Sequence, residues 1–351
     1  MTIKDIAREC GVGISTVSRV LNNKPDVSEE VRKKVLAAVE ANGYIPNNSA
    51  RDLVRSRSDA IGVLVRGTGN LFFSAMLKTI SAEIDRYGYD MVLRFLRTDD
   101  DEVKAGAILE REKKLRGLLF LGGRFNYMPA EMALIGVPYV CCSYTNSFGT
   151  LRESDFSSVS IDDFKTAYEA VSFLISAGHR RIAAFFDTCG DHSISELRYD
   201  GYRAALKANG IPVDASLVVE TGSFEMEDSY NSMKALLDRG AAFTAAFVES
   251  DMMAIAAMKA LKDSGKTVPQ DCSVIAIDGL NVSEFTSPTL TTMVQPGAEI
   301  ARESVRILVD MMENGAEGVH LRPEACLREG ATVCQWCGTE NRQDFMQPAQ
   351  N

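Results

Sequence analysis

Between Thr2 and Leu21, apolar positions fall three or four residues apart: Ile3, Ile6 and Ala7, then Val17, Val20 and Leu21. That is the spacing of one helix face. Gly11-Val12-Gly13 interrupts the run, so the pattern predicts two short helices joined by a glycine-containing turn, with Thr2 as the first N-cap. The second helix carries Ser15, Thr16, Ser18 and Arg19 on its outer side. Small side chains let a helix sit deep in a major groove, and an arginine reaches a guanine edge or a phosphate. Asn22-Asn23-Lys24-Pro25 reads as a loop. Ser28 caps a third helix, with Glu29 and Glu30 at its positive end and Val31, Val35, Leu36 and Val39 on its core face. Three such helices enclose a minimal core.

From Asp59 onward the period changes. Residues 61–65, 91–96, 117–121, 137–142, 159–161, 181–186, 217–220, 245–248 and 273–277 read as strands. Residues 72–87, 102–114, 164–177, 196–208, 226–238 and 251–263 read as helices between them. This alternation predicts parallel sheets covered by helices on both faces. There are too many units for one sheet, so two lobes are expected. A ligand would then sit between lobes, outside the carboxyl ends of the strands.

Residues 46–58 separate the two patterns. Pro46 biases Ile45 away from helix, and Asn47 can cap a helix that starts at Asn48. Residues 48–55 make about two helical turns, and isolated helices under ~12–15 residues are marginal in water. This linker is expected to order only against a partner.

Charge divides along the same line. Residues 1–59 hold ten Lys/Arg and eight Asp/Glu, a net of +2, while the chain carries −10 and the remainder therefore −12. DNA repels that remainder. One weakly basic headpiece binds feebly, and two copies double the phosphate contacts. The 351 residues suit two or three domains at ~150 each. No apolar run spans a bilayer and no signal-peptide core opens the chain, so no membrane partner and a cytoplasmic, nucleoid-associated location are expected. The eight cysteines, Cys141-Cys142 among them, sit mostly in apolar runs and read as reduced core residues.

The strings TIKDIAREC, STVSRVLN, VSEEVRKKV and GYIPNNSARDL resemble the lactose-repressor-type (LacI) family of transcription regulators. AGHRRIAAF (177–185), LRYDGYRAAL (197–206), SDMMAIAAMKAL (250–261), VPQDCSVIAIDG (268–279) and PTLTTMVQP (288–296) resemble that family's sensor, and the likeness runs to about residue 333. The resemblance implies an all-α helix-turn-helix headpiece (1–46), a hinge helix and linker (47–58), and an α/β two-lobed, periplasmic-binding-protein-like sensor and dimerisation domain (59–333). The N-lobe would take about 60–160 and 290–320, and the C-lobe about 161–289 and 321–333. Residues 334–351 would be a flexible tail.

The same resemblance implies a ligand-responsive repressor, not an enzyme, binding a palindromic operator as a homodimer, with a tetramer left open. DNA contacts would come from Thr2, Ile14, Ser15, Thr16, Ser18, Arg19 and Asn22, and from Asn48, Ala50, Arg51 and Leu53 in the hinge. Leu53 falls at the family's wedge position, where an apolar side chain pries a base step apart in the minor groove. Ligand contacts would come from Phe72, Phe73, Arg198, Phe224, Ser250, Asp278 and Gln295, the last on a strand crossing between lobes. An arginine fork and a carboxylate suit hydroxyl oxygens and paired hydroxyls, and aromatic rings suit a sugar ring. A sugar is the expected effector, with a purine as the alternative, and no cofactor or metal is expected. The sign of the response stays open.

Several positions depart from the family pattern. Gly13 stands where a serine cap is usual, Asp52 puts a negative charge in the hinge, Leu71 replaces a proline, and Ser143-Tyr144 replaces Asp-Arg. Two other classes are weaker. A binding protein without DNA function is opposed by the headpiece. A nucleotide-dependent enzyme is opposed by Arg66-Gly-Thr-Gly-Asn70, which is not Gly-x-Gly-x-x-Gly, and by the lack of a Walker sequence. Cys334-Gln-Trp-Cys337 supplies only two of four zinc ligands and reads as incidental.

Overall fold

A computed structural model describes residues 2–21, 26–42, 58–67, 69–97, 100–190 and 192–336. They divide into two units between residues 58 and 59.

The first unit holds α1 (Ile3–Cys10), α2 (Ile14–Leu21) and α3 (Glu29–Ala41). Thr2 precedes α1, and the Asp5 carboxylate accepts from its backbone N–H and its hydroxyl at 2.9 and 2.8 Å. Gly11 ends α1 in the left-handed conformation that lets Val12 N–H close on the Ala7 carbonyl. Ile6, Ala7, Cys10, Val17, Val20, Val35 and Ala38 bury together. Leu36 does not join them. It is 47 % exposed, because the core stripe of α3 passes through Val31, Val35 and Ala38 instead.

The second unit contains two six-stranded sheets. The first has the order β11-β5-β4-β3-β1-β2, with β1 (Ala60–Arg66), β2 (Asp90–Leu96), β3 (Gly117–Leu121), β4 (Tyr139–Cys142), β5 (Ser157–Val159) and β11 (His320–Leu321), all pairs parallel. The second has the order β12-β10-β9-β8-β6-β7, with β6 (Ile182–Phe186), β7 (Val218–Glu220), β8 (Ala245–Val248), β9 (Ser273–Asp278), β10 (Thr291–Val294) and β12 (Cys326–Arg328). Only β10 and β12 pair antiparallel.

Alternate side chains explain the layering. Leu119 and Leu121 of β3 pack with α4 (Leu71–Arg86) and α10 (Gly297–Asn314), while Leu118 and Phe120 pack with α5 (Glu102–Lys113). In the second sheet, Ala184 and Phe186 face α6 (Asp163–Ser176) and α7 (Ile194–Ala208), and Ala183 and Phe185 face α8 (Met226–Asp238) and α9 (Asp251–Asp263). Gly201 lets α7 close on α6, since a Cβ there would lie 2.3 Å from the Phe164 carbonyl oxygen.

The sheets correct two sequence expectations. The return crossing placed at about residue 290 lies after Val294, because β10 pairs with β9 in the second sheet. Gln295 accordingly follows that strand rather than lying on it. Residues Cys334–Trp336, expected to be part of a flexible tail, dock on the second lobe. Cys334 N–H donates to Ser273 Oγ at 3.1 Å, Trp336 N–H donates to the Ala177 carbonyl at 2.7 Å, and the Trp336 ring lies 5.9 Å from that of buried His179.

Candidate functional site

On the first unit, α2 turns Ile14, Ser15 and Arg19 outward, with Thr16 and Ser18 half-buried beside them. Ile14 is 45 % exposed. No side chain caps the helix at Gly13; its carbonyl accepts from Thr16 N–H and Val17 N–H at 2.9 and 3.1 Å. Arg19 pairs with Asp26 at 3.1 Å, both exposed. Asn22 and the hinge residues Asn48, Ala50, Arg51 and Leu53 lie outside the described residues.

On the second unit, contacts between lobes show which edges face each other. The Phe148 ring, beyond β4, lies 4.9 Å from the His192 ring, beyond β6. A Cβ on Gly69, beyond β1, would lie 3.9 Å from Glu225 Oε1, beyond β7. Ile194 and Leu197 of α7 pack on the first lobe's cluster around Tyr127 and Tyr144. The carboxyl ends of both sheets therefore face each other.

The second lobe brings three expected residues to that edge. Asp278 ends β9 with a φ of 132°, a region that strains any residue except glycine, and Gly279 follows at 74°, where Val294 also leaves no room for a Cβ. This turn sets the Asp278 carboxylate to accept from the Gln295 side-chain amide at 2.8 Å. Burial, then repulsion from Asp251, pushes the Asp278 pKa up to about 7, with Arg198 and Gln295 pulling it back. Arg198 is 2 % exposed. Its partner is Asp163, which accepts from Nε and Nη2 at 3.1 and 2.9 Å. Nη1 donates to the Glu249 carbonyl at 2.5 Å. Burial works to lower the Arg198 pKa, and Asp163, Asp278 and Glu249 more than offset it.

The other expected ligand residues divide. Phe72 is a core residue, buried against Met76 and the face of Gly297, and this corrects its assignment to the ligand. Phe73, one helical step on, stays half-buried, and its ring covers Gly122 at the carboxyl edge of the first sheet. Phe224 is 38 % exposed in the loop before α8. Ser250 is the N-cap of α9, its Oγ accepting from Met253 N–H at 3.3 Å. Sequence reasoning missed Asp163, Glu249 and Asp251, all buried. Their signal was an acidic residue wedged beside apolar runs, a placement that demands a partner. Asp251 finds its partners in Leu280 N–H and Thr292 Oγ1 at 2.7 and 2.5 Å. Among the described residues no group of three or more His, Cys, Asp or Glu could hold a metal ion, and no helix is long and apolar enough to cross a membrane.

Residues 2–47 match the bacterial regulatory proteins of the lacI family, and residues 171–333 match the periplasmic binding protein-like domain. The HTH-type transcriptional regulator MalR of Clostridium butyricum is 39 % identical over 92 % of this chain and 96 % of its own. The HTH-type transcriptional repressor CytR of Escherichia coli strain K12 is 32 % identical over 93 % and 94 %. The chain belongs to the LacI family.

Two solved regulator structures agree across nearly the whole chain. The Lac repressor dimer bound to operator and the anti-inducer ONPF superposes with a TM-score of 0.79 at 25 % identity, covering 95 % of this chain and 99 % of that one. The transcriptional regulator CelR in complex with cellobiose gives 0.70 at 30 % identity, covering 95 % and 100 %. As a LacI-family member the chain is a ligand-responsive, DNA-binding transcription regulator and not an enzyme.

Proposed function

We propose that the chain is a repressor that reads a palindromic operator as a homodimer and responds to a sugar held between its lobes. It works in the cytoplasm, at the nucleoid. The meeting of Arg198, Asp278 and Gln295 at the carboxyl edge facing the other lobe carries this reading. It gives a ligand a carboxyl group, an amide and the remaining N–H groups of a guanidinium already tied to Asp163 and the Glu249 carbonyl. Phe73 supplies a ring from the other lobe, and Phe224 and Ser250 lie on loops at the same edge as Asp278. The Lac repressor bound to operator and CelR bound to cellobiose support the pairing of operator with sugar.

Residues 1–46 form the headpiece, 47–58 the hinge and 59–333 the sensor. Thr2, Ile14, Ser15, Thr16, Ser18, Arg19 and Asn22 contact DNA, with Ile14 set to meet a thymine methyl. Asn48, Ala50 and Arg51 contact the minor groove and Leu53 wedges it open. Exposed apolar side chains support self-association: Leu93 and Phe95 on edge strand β2, and Val282 and Phe285 on the second lobe. Ligand binding shifts the lobes and so the spacing of the two hinges. A coupling of ~1–3 kcal/mol changes operator affinity about 5–150-fold.

Selection of bound sequences from a random DNA pool tests the reading. An inverted repeat is expected, and Leu53→Ala should lower both affinity and bend angle on it. A single asymmetric motif would remove the dimer from the account.

A further inference from the structure

Glu249 follows β8 directly, at the carboxyl edge of the second sheet, and is fully buried. Its Oε1 accepts from the Asp187 N–H and, at 3.1 Å, from Ser195 Oγ. Its Oε2 is buried and meets no hydrogen-bond partner. A carboxyl oxygen stripped of water and left unpaired is costly whether it carries a proton or a charge. The protein's own cations do not fill the gap. Arg198 spends Nε and Nη2 on Asp163, and Nη1 on the Glu249 carbonyl rather than its carboxylate.

The charge around this oxygen is one-sided. Asp163, Asp278 and Glu249 all act on the single Arg198 guanidinium. Asp187 repels Glu249, and Asp251 repels Asp278. Among the described residues, the arginines at or just beyond the ends of β1, β2 and β3 on the first lobe's facing edge are all committed, Arg97 to Asp100. Arg66, at the end of β1, and Arg124, beyond β3, both pair with buried Glu102, and Arg124 pairs also with Glu131.

We propose that Glu249 is a ligand-contacting, specificity-determining residue, whose Oε2 bonds a hydroxyl of an uncharged polyhydroxyl effector while the carboxylates about Arg198 reject phosphorylated or carboxylated ones. This rests on the sugar-responsive reading and narrows it. A hydroxyl suits the position because it donates to an ionised carboxyl and accepts from a protonated one. A phosphate or carboxylate brings a charge into a buried site whose one guanidinium is already committed, and it meets growing like charge as Asp278 and Glu249 ionise. Ser250, the next residue, uses one acceptor site on capping α9, and its hydroxyl keeps a donor and a second lone pair for the same ligand.

Calorimetric titration of the full chain with matched sugars tests the proposal. The sets are glucose with glucose 6-phosphate and glucuronate, maltose with maltose 6′-phosphate, ribose with ribose 5-phosphate, and cellobiose. At least one neutral sugar should bind, and its charged counterpart at least tenfold more weakly. Glu249→Ala should lose at least tenfold for that neutral sugar, and Glu249→Gln, which keeps an acceptor and gains a donor, should stay within about threefold. The melting temperature without ligand reports whether each variant folds, and Glu249→Leu replaces the alanine variant if that one does not.

Equal or tighter binding of the charged counterpart overturns the proposal. So does silence from every neutral sugar, or unchanged affinity in a folded Glu249→Ala. Operator binding, read in parallel, separates this proposal from the reading it rests on. An operator response to phosphorylated sugars alone sinks the role of Glu249 and leaves the regulator intact. Neutral-sugar binding that depends on Glu249 without any operator response upholds the contact and sinks the sugar-responsive reading.

Discussion

Arg198 donates from Nε and Nη2 to one oxygen of Asp163, over 3.1 and 2.9 Å, and both residues are buried. The arginine is therefore a structural tie between α7 and the start of α6 as well as a candidate ligand donor. Breaking a buried ion pair from one side strands the other charge, which typically costs about 3–5 kcal/mol. Arg198→Ala should lower the urea midpoint and melting temperature markedly, and Asp163→Asn in the same chain should restore part of the loss. Arg198→Ala with unchanged stability would show that Asp163 is already neutral.

Stability should fall as pH rises from about 4.5 toward 8. Burial first, then repulsion from Asp187, pushes the Glu249 pKa up to about 8, against relief from Arg198, Ser195 and the Asp187 N–H. Asp278 is pushed up to about 7 by burial and Asp251. Unfolded, these groups ionise near ~4.3 and ~3.9. Across that window the native state holds more protons than the unfolded state, so stability present at low pH is lost as pH rises through the folded values. Glu249→Gln removes one of these titrations. Urea midpoints at pH 5.5 and pH 8 should differ less in that variant than in the wild type, and an identical slope would contradict the assignment.

The same residues show how far the sequence could be read. The buried strands were legible because runs such as 117–121 and 245–248 are apolar on both faces. β10 was not legible as a second-lobe strand. Its Thr291 and Thr292 are buried through hydroxyl bonds to Gly330 N–H and to Asp251, and these leave no hydrophobic trace. Phe72 and Phe73 look alike in sequence, yet one helical step of ~100° sends one into the core and leaves the other at the sheet's carboxyl edge. Periodicity marks a helix face but cannot name a partner 35 residues away, so α7 gave no sign that Asp163 holds Arg198.

Asp26 restrains Arg19 in the free headpiece. The pair is exposed at both ends, so the restraint is modest. Asp26→Asn should tighten operator binding by about two- to fivefold, the range of a weak surface pair, and steepen the salt dependence slightly. Arg19→Ala should weaken binding and erase the benefit of Asp26→Asn in the double variant. Fluorescence anisotropy on the selected operator measures all three. An additive double variant would mean that Asp26 acts only as a distant negative charge.

Phe285 offers the sharpest test of self-association. It is 86 % exposed, in the 3-10 turn Asn281–Phe285 that also exposes Val282. A phenylalanine held that far into water is costly unless a second surface covers it. The turn is fixed from within by Ser283, whose hydroxyl bonds the Leu280 carbonyl at 2.6 Å, and by Arg328, which pairs with Glu284 at 2.6 Å. Phe285→Asp should therefore leave the fold and ligand binding intact and shift sedimentation toward the monomer. A monomer presents one headpiece and one hinge, so the phosphates it neutralises fall by about half. The slope of log affinity against log salt should halve with them. On the proposed hinge reading, operator affinity should drop by more than the loss of salt contacts alone, because a monomer brings only one hinge to the minor groove. Full operator affinity in a monomeric Phe285→Asp would break the link between self-association and operator reading, and a variant that stays dimeric would move the interface away from this turn.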